Sequence, residues 1–223
     1  MKQIFEGEVY EILPLTNGIM FSYCKEILSE KQINVGYKMI DFDNGRLTDV
    51  AKNAFLGTKF GPKYPELIKN SDNYITDKII HLQNNKMLIY SKNGTLKLID
   101  ADTTVLWEGT LTYKNFNASD LILYKNSIWT CFANCDALLR FNLGTMREEL
   151  RIGGSRSPFS KPRSMFLADN EAYVCNLGSK SIVKVNLENY CVSEFLDFPE
   201  EVLQYIKVDI YDFVILKSGL YML

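Results

Sequence analysis

Four short stretches hold the residue types best suited to chemistry: "MIDFDNG" (Met39–Gly45), "LIDADTT" (Leu98–Thr104), "RFNLGT" (Arg140–Thr145) and "KVNLEN" (Lys184–Asn189). The pairs Asp41/Asp43 and Asp100/Asp102 could act as general acid and base, a role for which a glycosidase needs two carboxylates about 5–10 Å apart. All four stretches nevertheless share one grammar: an apolar residue, Asp or Asn, another apolar residue, then small or acidic residues. An Asp or Asn in that place bonds its own backbone two residues on and holds a turn. A turn device explains all four stretches, whereas catalysis would explain two. The expectation is four turns, with their carboxylates far apart.

The other reactive side chains are sparse. His81, in "KIIHLQ", is the single histidine, and one imidazole builds neither a zinc site nor a catalytic triad without borrowed partners. A structural or channel-lining place is expected for it. The five cysteines, Cys24, Cys131, Cys135, Cys175 and Cys191, are odd in number and include no CxxC pair, so reduced and mostly buried thiols are expected. "GGSRSP" is rich in glycine but lacks the phosphate-loop pattern. No catalytic residue, metal ligand or cofactor is expected.

These residues need a scaffold, and the repeat supplies one. The Asp or Asn of each motif, at Asp41, Asp100, Asn142 and Asn186, recurs with a period of about 43 residues and one enlarged unit, the spacing of four-stranded propeller blades. Before each motif stands a β-rich run: "GIMFSYC", "KMLIYS", "SIWTCFA" or "EAYVCN". Before that run come a polar turn and a further apolar run, and a fourth strand follows the motif. Asn17-Gly18, Asn44-Gly45 and Asn93-Gly94 read as type I′ hairpin turns. The strands of each unit are called A to D in chain order.

A fifth unit, "VLQYIKV", "DFVILKS" and "GLYML", runs from Val202 to Leu223 and lacks strand D. The start of the chain supplies a candidate, because "KQIFEGEV" resembles "TVLWEGTL" at Thr104–Leu111. Pairing Lys2–Val9 with the last blade would close the ring and remove two free sheet edges. The chain therefore resembles a five-bladed, all-β propeller of four-stranded antiparallel blades. Blades three and four look most like NHL and surface-layer-type repeats, on "KPRSMFLADNEAYVCNLGSKSIVKVNLEN". The expected layout is a single domain: outer strand 2–9, blade one 8–52 with an insertion at 53–76, blade two 77–111, blade three 119–152, blade four 163–198 and blade five 202–223. An irregular β-sandwich and a further blade near 46–76 are the rival architectures.

Two departures from the repeat point to function, which usually lies in what a scaffold adds. Blade one carries an excess "KEILSEKQIN" (Lys25–Asn34), assigned to its B–C loop, and a long connection at Asp49–Thr76. In a propeller the B–C loops and the D-to-A connections share one face. That face would also hold "TYKNFNAS" and "GGSRSPFSKPR", which mix aromatics with cations. From these connections Tyr113, Arg156, Phe159, Lys161 and Arg163 are candidate ligand-binding residues. Lys59 and Tyr64 join them from the insertion. Such a mixture suits an anionic or sugar-like ligand or a protein epitope. The alternative, that the aromatics anchor their own loops and the cations are solvated, stays open.

Composition sets the outer limits. A net charge of −2 lacks the basic excess of a general nucleic-acid binder. No apolar run approaches the roughly 18 residues of a membrane span, and the first twenty residues do not read as a secretory signal. No nucleic-acid or membrane partner is expected, and the cytoplasm is the expected compartment. The reading is a non-enzymatic binding or protein-interaction propeller. The alternative is a small glycan or ester hydrolase using Asp77, Asp120 or Glu201 at the channel mouth.

Overall fold

The structure, a computed structural model, describes residues 1–15, 17–29, 32–51, 77–91, 94–154 and 156–223, with backbone alone at 32, 77, 81 and 83. The fold is an all-β, five-bladed β-propeller, every blade a four-stranded antiparallel sheet. Helix among the described residues is limited to two 3-10 turns, Gln83–Asn85 and Ala133–Cys135. Two compact units divide the chain, one of residues 1–75 with 206–223 and one of residues 76–205.

The first unit begins with β1 (Lys2–Glu6). Blade one follows as β2 (Val9–Leu15), β3 (Gly18–Ser29), β4 (Gln32–Asp41) and β5 (Arg46–Val50). In the second unit, blade two is β6 (Asp77–His81), β7 (Met87–Ser91), β8 (Thr95–Ile99) and β9 (Val105–Thr110). A small hairpin, β10 (Thr112–Tyr113) and β11 (Phe116–Asn117), lies in the connection that follows. Blade three is β12 (Asp120–Tyr124), β13 (Ser127–Phe132), β14 (Ala137–Asn142) and β15 (Glu148–Gly153). Blade four is β16 (Pro162–Ala168), β17 (Glu171–Asn176), β18 (Ser181–Asn186) and β19 (Val192–Asp197). Blade five is β20 (Val202–Val208), β21 (Tyr211–Leu216) and β22 (Gly219–Met222), and from Ile206 onward it belongs to the first unit.

The N-terminal strand completes this last blade, as the resemblance between its residues and those of β9 led us to expect. β1 pairs antiparallel with β22, Gln3 against Tyr221 and Phe5 against Leu220. The Phe5 ring lies 5.3 Å from Phe21 and 4.8 Å from Tyr23, centroid to centroid, so the strand is held by its side chain as well as its backbone.

Blade three shows why its strands read as unbroken apolar runs. Its sheet is buried on both faces, and the two-residue period of a strand sorts the side chains. Leu121, Ile128 and Leu139 pack with Leu88 and Leu96 of blade two. Ile122, Trp129 and Leu138 pack with Met165, Val174 and Val185 of blade four.

The opening motifs are one turn used repeatedly. The side-chain oxygens of Asp41, Asn142 and Asn186 accept the amides of Asp43, Gly144 and Glu188, two residues on, at 2.9, 2.9 and 3.0 Å. In the same turns the amides of Gly45, Met146 and Tyr190 bond back to the carbonyls of Asp41, Asn142 and Asn186 at 2.8 Å. Each of these closing residues has positive φ. In blade two Asp102 takes over, accepting from the Thr104 amide at 3.0 Å; this bond is the leading cause of its lowered carboxyl pKa.

The turn types differ from expectation. Gly18 is the first residue of β3, paired with Leu15, and Gly45 has positive φ where Asn44 does not. Neither Asn-Gly pair forms a type I′ turn, and Asn93 lies outside the described residues. Positive φ falls instead at Lys125, Asp169 and Asp209, the first loop residue of the A–B turn in blades three, four and five.

Candidate functional site

The excess in blade one is a ribbon, not a loop. β3 and β4 stay paired through Cys24–Val35, Glu26–Asn34, Ile27–Ile33 and Ser29–Gln32, with the register shifting between Cys24 and Glu26 and again between Ile27 and Ser29. Their neighbours stop earlier: β2 reaches only Tyr23, and β5 reaches only Tyr37. Among the described strands, the ribbon of Lys25–Ser29 and Gln32–Val35 thus has two uncovered edges. It also presents Ile27, Leu28 and Ile33 to solvent, at 70%, 53% and 44% exposure. Free strand edges flanked by exposed aliphatics are a recognised site of strand pairing and protein contact. The sequence marked the extra residues; it did not show that they continue two strands.

In the second unit, the connection from β15 to β16 is fastened to the turn after β13. The Asp136 carbonyl accepts from the Gly154 amide at 3.3 Å and from Ser157 Oγ, while Asp136 Oδ1 accepts the Lys161 amide at 2.7 Å. On the blade-four side, Asn176 Oδ1 accepts the Ser160 amide at 3.2 Å, and the Ser160 and Lys161 carbonyls accept from Gly178 and Leu177. Gly153 sits where φ is +102°, and a Cβ there would collide with the Asp136 carbonyl oxygen. B–C turns and a D-to-A connection therefore meet at one end of these two blades. Asp136 is the central residue of this arrangement, and nothing in its local sequence distinguished it.

The candidate residues separate clearly on this frame. Phe159 is 3% exposed and belongs to the interior between blades three and four, where it anchors its loop. Tyr113 stacks edge-on to Phe132 at 5.8 Å, and the Arg151 guanidinium covers its ring at 4.2 Å, so its aromatic face is occupied. Arg156, Lys161 and Arg163 are exposed and form no salt bridge among the described residues. Arg156 has φ 133° and Lys161 φ 50°, backbone conformations that side chains adopt only when the surroundings enforce them. Arg163 is the extra residue of a β-bulge between Pro162 and Ser164, a device that re-aims a side chain. Beneath the loop, a cavity of about 390 Å³ is lined by Pro158, Ser181, Ser193, Glu194 and Asp197 among others. Lys59 and Tyr64 lie outside the described residues, as does the whole insertion 53–76.

Of the three acids proposed for hydrolysis, Asp120 is already engaged. Asp120 Oδ1 takes the Lys78 ammonium at 2.8 Å and its own neighbour's amide at 2.8 Å, and Oδ2 takes the Met165 amide at 2.8 Å. It stitches the inner strands of blades two, three and four. The adjacent thiols of Cys131 and Cys175 are fully buried, which pushes Cys131 well above the usual thiol range and Cys175 up to about 12. Thiols so protonated are poor nucleophiles and poor ligands. All five cysteines are unpaired, and no group of three or more His, Cys, Asp or Glu able to hold a metal occurs among the described residues. The side chain of His81 is not described.

Comparison with solved structures finds likeness across nearly the whole chain. The chain is similar to the computationally designed Ika8 protein, with TM-score 0.52 and 11% identity over 96% of this chain and 70% of that one. It is similar to a streptogramin B lyase, TM-score 0.50 and 12% identity over 98% and 69% of the two chains. It is also similar to the virginiamycin B lyase of Staphylococcus aureus, TM-score 0.50 and 12% identity over 100% and 72%. These likenesses show the propeller fold. No protein-family model matches the sequence, and no curated protein matches it.

Proposed function

We propose that this chain is a non-enzymatic propeller that binds another protein. The observation that carries the reading is the ribbon of Lys25–Ser29 and Gln32–Val35, its edges uncovered by any described strand, with its exposed Ile27, Leu28 and Ile33. Each aliphatic side chain contributes about 1.5–3 kcal/mol when a partner buries it fully. The ribbon edge adds main-chain hydrogen bonds. The fastened loop Gly153–Arg163 is a second contact region. Arg156, Lys161 and Arg163 offer it positive charge, while Glu194 and Asp197 line the cavity beneath. Such mixed charge favours a protein epitope over a small anion. Lys59 and Tyr64 belong to this proposal through the position of the insertion alone.

Substituting Ile27, Leu28 and Ile33 together by Ser tests the reading. These side chains are already exposed, so stability should change by no more than about 0.5 kcal/mol per site. Pull-downs from native lysate should lose the partner captured by the parent chain, and Arg156→Ala with Lys161→Ala and Arg163→Ala should weaken that capture. Equal capture by the ribbon variant would reject the ribbon as the contact.

Two finer assignments belong to the same proposal. Kinship of blades three and four with NHL and surface-layer-type repeats rests on their sequence pattern, and a cytoplasmic location is supported by five unpaired thiols. The hydrolase reading draws less support, since the Asp120 carboxylate is already held by Lys78, Leu121 and Met165. Two of the similar structures are lyases, yet at 12% identity that likeness extends to the fold only.

A further inference from the structure

At the other end of blades three and four, where the A–B and C–D turns lie, a cavity of about 270 Å³ opens between the two sheets. Its walls are Trp129 and Arg140 from blade three's two middle strands, Tyr124 at the end of β12 with Lys125 from the turn after it, and Glu188 and Tyr190 from the turn after β18. Trp129 and Arg140 are direct cross-strand partners, so they share a face. Tyr190 reaches them because it is the positive-φ residue that closes the Asn186 turn. The repeated turn device thus places one blade's aromatic over the next blade's cation.

The chemistry of the cavity is unevenly satisfied. Arg140 Nη1 donates to Tyr190 Oη at 2.6 Å, and the guanidinium carbon stands 6.0 Å from the Trp129 ring and 5.5 Å from the Tyr190 ring. Its Nε lies 3.3 Å from Glu149 Oε2, close enough for an ion pair but without hydrogen-bond alignment. Glu188 Oε1 accepts from Lys125 at 2.9 Å and from Tyr124 Oη at 3.0 Å. The Trp129 indole N–H, in a side chain only 1% exposed, has no acceptor. A buried donor left unpaired costs about 1–3 kcal/mol, and a buried indole N–H ordinarily finds a partner.

We propose that this cavity binds a small monocarboxylate with an apolar body. The ligand's carboxylate would accept the indole N–H and lie beside Arg140, and its body would contact the aromatic walls. A cation is disfavoured by Arg140 and Lys125. A dianion is disfavoured because the two cations of the lining are already offset by Glu188 beside Lys125 and by Glu149, 3.3 Å from Arg140. The volume is near the small end of ligand pockets, which begin at about 300 Å³, so the ligand is of amino-acid size. This site is separate from the ribbon and the Gly153–Arg163 loop, and it stands or falls without them.

Indole N–H resonances of ¹⁵N-labelled protein read this site directly, because the chain has two tryptophans and Trp107 serves as an internal control. 3-Phenylpropionate should shift the Trp129 resonance saturably and leave Trp107 in place, while the neutral 3-phenylpropionamide should do neither. Arg140→Gln should weaken the carboxylate by about tenfold or more. Glu188→Gln, at an exposed position, should tighten it by about threefold, because the freed Lys125 charge then faces the ligand. No shift with the carboxylate would mean a merely hydrated cleft and would overturn the proposal, as would an equal shift with the amide. Should Arg140→Gln fail to fold, Glu188→Gln decides alone: unchanged or weaker binding overturns the site.

Discussion

The hydrogen bond from Arg140 Nη1 to Tyr190 Oη, 2.6 Å long, ties strand β14 of blade three to the C–D turn of blade four. It is a charge-assisted bond in a half-buried setting, stronger than one between neutral groups. Replacing Tyr190 by Phe keeps the ring and removes the acceptor. The expected cost is about 1–2 kcal/mol, read as a lower urea midpoint with unchanged slope. An unchanged midpoint would mean that this bond adds nothing to the hold between the two blades.

Asp120 should be among the costliest surface-adjacent residues to change. Asp120→Ala leaves the Lys78 ammonium and the Met165 amide without their carboxylate. Lys78 is about a third exposed, so water recovers part of its loss, and an overall cost of about 2–3 kcal/mol is expected. Asp120→Asn should recover part of that by keeping one acceptor. Equilibrium denaturation of both variants checks the order.

Closure by the first strand has its own signature. Phe5→Ala removes the ring packed on Phe21 and Tyr23 while leaving the β1–β22 ladder intact. Because Phe5 is only half-buried, the expected loss is below the roughly 3–5 kcal/mol of a fully buried Phe. Amide exchange at Gln3 and at Tyr221 should accelerate together, since the two residues face each other in the ladder. Acceleration at Gln3 alone would show that β22 does not depend on β1.

The buried thiols set an alkaline limit. Cys175 is held protonated in the folded protein up to about 12 by burial, whereas an unfolded cysteine ionises near 8.5. Between those values the unfolded chain binds fewer protons than the folded one, so stability falls as pH rises. The slope is about 1.4 kcal/mol per pH unit for each such thiol. Cys131 shifts the same way. Melting temperature should decline from about pH 8.5 upward, and Cys175→Ala should flatten that decline. In the folded state the exposed Cys191 should react with a thiol reagent well before Cys131 or Cys175.

Much of this architecture was legible because the repeat is written in backbone chemistry. Asp41, Asn142 and Asn186 each accept an amide two residues on, which a local sequence can announce. The pairing of Lys2–Glu6 with the last blade could be read from its likeness to the Trp107-Glu108-Gly109 strand. What the sequence hid were relations between blades. Phe159 reads as a loop aromatic, and its burial depends on a hydrophobic cluster contributed mainly by blades three and four. Tyr113 reads as an open ring, but Arg151 from a different strand covers it. Trp129, Arg140 and Tyr190 are distant in sequence and meet only because a turn in one blade overhangs the next. The Lys25–Asn34 excess was visible as length, while its strand pairing needed the register of Cys24 with Val35.

A photo-crosslinking side chain placed at Leu28, in the middle of the exposed ribbon, tests the interaction reading most directly, with the same side chain at the exposed Leu106 of blade two as the control. In native cells the Leu28 position should yield one discrete adduct whose mass spectrum contains a second, different protein, and the Leu106 position should not. No adduct from Leu28, an adduct with a further copy of this chain, or the same pattern from both positions would contradict a protein-binding propeller that works through this ribbon.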